Sequence, residues 1–218
     1  MFTFRKLISY CLILIVFSAC SARESSHVVA PKYTRASQQG HKRSISVALG
    51  KVENRSQYMV GVFFSGNSKL TTQAKQMLTM HLAQSGCFDV RDRNNLDEGA
   101  AEAKYLGKKV KIAGAEYIIT GAVTEFGRRE LGSSSSIFAK SKRQIMYANF
   151  SISLVNALDS RVISSASGAG EVQLSTKEVL GFGSKAGYDT TLADKVLDLA
   201  IREAVDNLII DLEGRGIL

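Results

Sequence analysis

Reactive centres are built from cysteine, serine, histidine and paired carboxylates, and the spacing of these residues here assembles none that sequence alone can point to. A hydrolytic triad needs a nucleophile, a histidine and an orienting acid. The chain has three histidines: His27 and His41 fall in a polar N-terminal stretch, and His81 falls on a predicted helix, at the border of its apolar face. No His-x-x-x-His or Cys-x-x-Cys spacing offers a metal site. Gly181, Gly183 and Gly187, with Ser184 and Lys185 between them, could converge backbone N–H groups on an anion. The run lacks the Gly-Lys-Ser/Thr ending of a phosphate loop, no strong strand feeds it, and it reads as a loop. Carboxylates are numerous without a distinguished pair. These residues predict a protein that is not an enzyme and that uses no metal or dissociable cofactor.

One cysteine does sit in a chemically telling place. Arg5 and Lys6 precede an apolar run from Leu7 to Phe17, followed by the small pair Ser18-Ala19 and then Cys20. That is the three-part build of an export signal. Spanning a bilayer as a helix takes about 20 apolar residues, more than this run supplies, so residues 1–19 are expected to be removed. A cysteine at the new N-terminus offers both a thiol and an amine for acylation by palmitate-like chains, and Phe17-Ser18-Ala19-Cys20 resembles a lipobox. Ser21, rather than Asp, follows the cysteine, which resembles an outer-membrane address. Cys11 leaves with the signal and Cys20 is acylated, so Cys87 stands alone and no intrachain disulfide is expected. Cys87 lies at a helix-to-strand junction, where it reads as a small buried hydrophobe or as a reactive thiol.

Composition narrows the partners. The formal charge is +8, and it falls to +6 when Arg5 and Lys6 leave. An exported, lipid-anchored chain meets almost no nucleic acid, so the basic balance points to anionic headgroups, to acidic protein surfaces, or merely to solubility. About 200 residues remain, enough for one domain with a real core.

Residues 20–43 are polar, contain the sole proline, Pro31, and show no period, so they predict a flexible lipidated tether. Residues 44–218 predict the domain. Ser44 to Val52 reads as a buried strand, and Asn54 to Lys69 as a loop around Tyr58, Phe63, Phe64 and Asn67. Ala74, Leu78 and Leu82 then mark one face of a helix that ends at Gly86. Phe88 to Arg91 is a short strand, Asp92 to Lys109 a polar helix, and Ala113 to Phe126 a central strand. Gly127 to Arg143 reads as a charged, serine-rich insert. Met146, Ala148, Phe150, Ile152 and Leu154 alternate with polar residues, giving a strand with one buried face. Asn156 to Ser160 supplies a turn, and Arg161 to Ser165 returns. Gly168 to Asp189 reads as a glycine-rich loop. Leu192, Val196, Leu199, Ala200, Val205, Leu208, Ile209 and Leu212 trace a last helix, with Thr191 as N-cap and Gly214 as C-cap. The fold class is therefore α/β, a mixed parallel and antiparallel sheet covered by helices.

Several stretches together resemble the CsgG family of outer-membrane lipoproteins, typified by the curli secretion channel. They are Ser46-Val47-Ala48, then Ala115 through Val123 (AEYIITGAV), and Leu154 through Ser165 (LVNALDSRVISS), where Asp159-Ser160 stand in place of the family's Thr-Gly turn. The lipobox and the terminal amphipathic helix fit as well. The resemblance covers most of residues 44–213. It implies a homo-oligomer on the outer membrane, with Tyr58, Phe63, Phe64 and Asn67 in the place of a pore-narrowing loop that grips an extended secreted chain. It also places two membrane hairpins at 127–145 and 166–190. Read as residues, Arg128, Arg129, Glu130, Lys140, Lys142 and Arg143 break the apolar alternation such strands need. Two readings follow: a ring-forming lipoprotein serving secretion or assembly of a surface structure, or a non-pore envelope lipoprotein that docks on and regulates a membrane or cell-wall complex. Accessory lipoproteins or a secreted polypeptide are the implied partners.

Overall fold

A computed structural model describes residues 25–29, 44–56, 67–91, 93, 95–109, 112–135, 139–179 and 190–218. Its elements are β1 (Ser25–Val29), β2 (Ile45–Asn54), α1 (Asn67–Ser85), β3 (Phe88–Arg91), α2 (Leu96–Tyr105), β4 (Tyr117–Ser135), β5 (Ala139–Asn156), β6 (Val162–Val179) and α3 (Thr190–Gly214). The described strands form one sheet in the order β1-β6-β5-β4-β2-β3. β2 runs parallel to both β3 and β4, and the remaining neighbours are antiparallel. The mixed α/β sheet expected from the sequence is present.

Helices α1 and α3 lie side by side on one face. The periodicities that predicted them hold: Ala74, Leu78 and Leu82 of α1 are buried, as are Val196, Leu199, Ala200, Val205, Leu208, Ile209 and Leu212 of α3. They meet Met146, Ala148, Phe150, Ile152 and Leu154, the alternating set of β5.

Three segments depart from the expectation. The charged insert at 127–143 is strand: β4 continues to Ser135 and β5 begins at Ala139, paired from Gly127↔Tyr147 out to Ser135↔Lys140. Ladder bonds belong to the backbone, so polar side chains do not by themselves stop a strand, and the Arg129 guanidinium lies 4.9 Å from the centroid of the Tyr147 ring. The glycine-rich stretch from 168 is also strand, as far as Val179. Gly168 and Gly170 are there because α3 runs directly over them: a Cβ on Gly168 would sit 2.2 Å from the Ala200 carbonyl oxygen, and one on Gly170 2.1 Å from that of Val196. Finally, Ser25–Val29, expected within the tether, pairs with Glu171–Ser175 of β6.

The ends of elements differ in smaller ways. α3 begins at Thr190, so Thr191 lies inside it, and Gly214 is its last residue. The left-handed residue that closes it is Gly216, with φ 68°. Gly216 N–H donates to the Glu213 carbonyl (2.9 Å) and Ile217 N–H to that of Leu212 (3.0 Å), the paired bonds of a Schellman motif. Polar residues of α3, and Arg215 just after it, also bond to β6: Glu203 accepts from Ala169 N–H, Asn207 donates to the Ser167 carbonyl, and Arg215 to that of Ile163. This stripe occupies backbone groups that β6 would otherwise present to water or to another chain.

The β5–β6 turn is built as the sequence reads, with one cost. Asn156 Oδ1 accepts from Leu158 N–H at 2.8 Å, and Asp159 Oδ1 from Arg161 N–H at 3.0 Å. Ser160 adopts φ 57°, the left-handed region that favours glycine. We expect Ser160→Gly to raise stability by about 0.5–1 kcal/mol, read as a higher urea midpoint at unchanged slope; a lower midpoint would mean that the serine hydroxyl outweighs the strain.

Candidate functional site

Opposite α1 and α3 the sheet is open among the described residues, and its central strands carry small side chains there. Thr120, Ser153 and Ser165 form one cross-strand row, and Ala122, Ser151 and Ser167 the next. The Ser153 and Ser165 hydroxyls are 2.9 Å apart.

A β-bulge puts charge beside this row. Ile45 and Val47 face the core at a two-residue period, which would send Lys51 inward as well. The ladder with β4 shifts between Leu49 and Val52, where Gly50 passes close to Ile118, and after the shift Val52 is the buried residue. Lys51, Glu53 and Arg55 therefore alternate onto the open face. Together with Thr120, Gly121, Ala122, Ser151 and Ser153 they line a cleft of about 230 Å³. Glu53 bridges its neighbours, 2.7 Å from Lys51 Nζ and 2.9 Å from an Arg55 Nη. Hydrogen bonds from Lys51 and then Arg55 hold its carboxyl below the usual carboxylate range. The lining thus offers cations, a carboxylate and hydroxyls, a set suited to polar recognition.

The second feature is α2. Leu96–Tyr105 buries none of its residues, and Tyr105, Leu106 and Ile112 are among the exposed large hydrophobics. It carries Asp97 and Glu98 in its first turn, where the helix dipole favours them.

Of the residues singled out from sequence, Cys20, Tyr58, Phe63 and Phe64 lie outside the described residues. Asn67 is the first residue of α1 rather than part of a loop. His81 has a structural partner: its Nε2 is 2.7 Å from Asp198 Oδ1, tying α1 to α3, and Gln73 reinforces the tie through Asp194 at 3.0 Å. Cys87 is buried, and burial pushes its thiol up. Among the described residues no three His, Cys, Asp or Glu side chains gather as a metal site would need, and no helix is long and apolar enough to cross a membrane. The Lys51-Glu53-Arg55 group was missed, although its lysine, glutamate and arginine alternate at the period of a strand. In the sequence the apolar residues of the strand stop at Val52, whereas the strand itself runs to Asn54.

The His81–Asp198 pair gives a pH prediction. The hydrogen bond from His81 holds the Asp198 carboxyl below its usual range. Its stabilising contribution is therefore complete above about pH 4, the ordinary aspartate value, and is lost as pH falls through the lowered value. We expect Asp198→Asn to cost about 1 kcal/mol at pH 7 and to flatten the acid limb of the stability curve. Equal acid sensitivity in wild type and variant would remove this pair as the cause.

A family model described as "Curli production assembly/transport component CsgG" matches residues 29–217. A relative from Neisseria meningitidis serogroup B, described as "Putative lipoprotein NMB1126/NMB1164", is 40% identical over 197 residues, which is 89% of this chain and 88% of the relative. Among solved structures, the PelC dodecamer from Paraburkholderia phytofirmans is similar at 14% identity and a TM-score of 0.37, covering 86% of this chain and 98% of that one. Lipoprotein GNA1162 from Neisseria meningitidis is similar at 16% identity and a TM-score of 0.33, covering 79% and 97%.

Proposed function

The chain belongs to the CsgG family, and on that premise we propose that it is an outer-membrane lipoprotein, anchored through Cys20, whose periplasmic α/β domain oligomerises and serves secretion or assembly of a surface structure. The observation that carries this reading is the extent of the family match, residues 29–217, which takes in every described strand after β1 and all three described helices. The lipobox-like Phe17-Ser18-Ala19-Cys20 and the description of the Neisseria relative as a lipoprotein support the anchor. The polar, hydroxyl-lined open face supports a binding role in preference to chemistry. Partners of matching chemistry are other copies of the chain, accessory lipoproteins, and an extended secreted polypeptide.

A second reading has its own observation. In residues 127–145 neither alternate set is apolar: Lys140, Lys142 and Gln144 alternate with Ala139, Ser141 and Arg143. A midplane Lys or Arg facing lipid costs roughly 2–4 kcal/mol. This favours a lipoprotein that forms no pore and docks on a membrane or cell-wall complex.

The two are separated by the mass and shape of acylated protein extracted in detergent, by light scattering and negative-stain imaging. A ring with a central opening supports the secretion reading. A monomer at every concentration sinks it and leaves the docking lipoprotein.

A further inference from the structure

α2 is a helix without a core. Its ten residues fall short of the roughly 12–15 at which an isolated helix is even marginal in water, so it needs something to pack against. The sequence supplies an apolar stripe for that purpose: Leu96, Ala100, Ala103 and Leu106 recur at helical spacing. Large hydrophobics are exposed at its C-terminal end, Tyr105 at 86% and Leu106 at 64%, and Ile112 beyond it is 62% exposed.

Topology says which side of a sheet this helix suits. The crossover from β2 through α1 to β3 and the crossover from β3 through α2 to β4 run in opposite directions across the sheet. Parallel crossovers are right-handed, so α1 and α2 belong on opposite sides. α2 is thus on the side of the open face, yet buries nothing against it.

The open face has the complementary character. Its rows of Thr120, Ala122, Ser151 and Ser153 let a helix approach closely, and its cleft, about 230 Å³, is smaller than the roughly 300–1,000 Å³ of small-molecule sites. A protruding side chain suits that space better than a free ligand. Charge fits as well. α2 carries Asp97, Glu98 and Glu102 against Lys104, whereas the cleft carries Lys51 and Arg55, 79% and 68% exposed, against Glu53.

We infer that α2 of one copy docks on the open sheet face of a second copy, its acidic first turns toward Lys51 and Arg55 and its Ala100–Ala103 stripe against the Ser151–Ser153 side of the cleft. Because the two patches differ, each copy keeps one of each to offer onward, and the contact propagates head to tail, closing into a ring where the rotation allows. This rests on the oligomer reading above and names its interface.

The test uses full-length acylated protein in detergent. Wild type is compared by light scattering with Glu98→Lys/Glu102→Lys, and with that pair combined with Lys51→Glu/Arg55→Glu. Separately, Ala100→Cys protein is mixed with Ser151→Cys protein and oxidised, Cys87 being buried. The expected result is an oligomer for wild type, a fall to monomer mass with unchanged circular dichroism for the first variant, reassembly for the charge-swapped one, and a crosslinked band at twice the monomer mass. An oligomer that survives the reversal, or a reversal that is not rescued and gives no crosslink, overturns the interface while leaving the oligomer standing. Wild type that is monomeric throughout overturns both.

Discussion

Gly170→Ala is expected to lower the stability of the domain by about 3 kcal/mol, the upper end of what overpacking ordinarily costs. The added Cβ would lie 2.1 Å from the Val196 carbonyl oxygen and 3.1 Å from Leu199 Cβ, and at Gly168 the obstacles are again backbone, Ala200 O at 2.2 Å and Ala204 N at 2.3 Å. Backbone of a helix cannot swing aside as the end of a flexible side chain can. To relieve the overlap the helix must lift, and with it the contacts of Val196, Leu197, Ala200, Ile201 and Ala204, all at most 1% exposed. Urea unfolding should show a lower midpoint at unchanged slope. Gly99→Ala is the control: nothing lies within 4 Å of its would-be Cβ, so on α2 it should be neutral or stabilising by up to about 1 kcal/mol. If Gly170→Ala unfolds at the wild-type midpoint, the close seat of α3 on β6 is wrong.

The same two glycines explain part of what the sequence concealed. In isolation Gly168 and Gly170 look like loop punctuation, because chain reversal and close approach of a helix both ask for a missing Cβ. Only the position of α3, contributed some thirty residues later, distinguishes the two. What was legible was burial with a period: the five alternating residues of β5, the Ala74-Leu78-Leu82 face of α1, and the long face of α3 report a core that each element sees locally. Strand without an apolar period was not legible, and the charged 127–143 stretch is an example, since nothing in its residue pattern announces the ladder. The cleft was hidden for a related reason. Whether Lys51 faces the core or the open side depends on one inserted residue at the β2 bulge, and a shift of one residue reverses every side chain after it. The Ser160 turn lies between these cases: its hydrogen-bonding residues were readable, while the left-handed φ appears only in the backbone.

Cys20→Ser should move essentially all of the protein out of the outer-membrane fraction, the largest functional effect expected of any single substitution here. Acyl chains contribute about 0.8 kcal/mol per buried CH₂, one chain alone gives only reversible binding, and more than one gives stable anchoring. Serine keeps the size of the side chain and removes the thiol that would carry the lipid, so retention should fail in proportion to how completely the anchor resides at that residue. Cys11→Ser, within the segment expected to be removed, should leave fractionation unchanged. The intact mass of extracted wild type should correspond to residues 20–218 plus lipid, and the variant should lack the lipid increment. The informative contrary result is a Cys20→Ser protein that stays in the outer membrane without acylation. Retention of that kind would mean that something besides lipid holds the chain there, either strands in the bilayer or docking on a membrane complex, no described helix being long and apolar enough to cross. In the first case the charged β4–β5 hairpin would be membrane-embedded, with its lysines and arginines turned toward a lumen. Loss to the soluble fraction would instead mean that lipid alone holds the chain at the membrane, which is the arrangement the sequence of residues 127–145 favours.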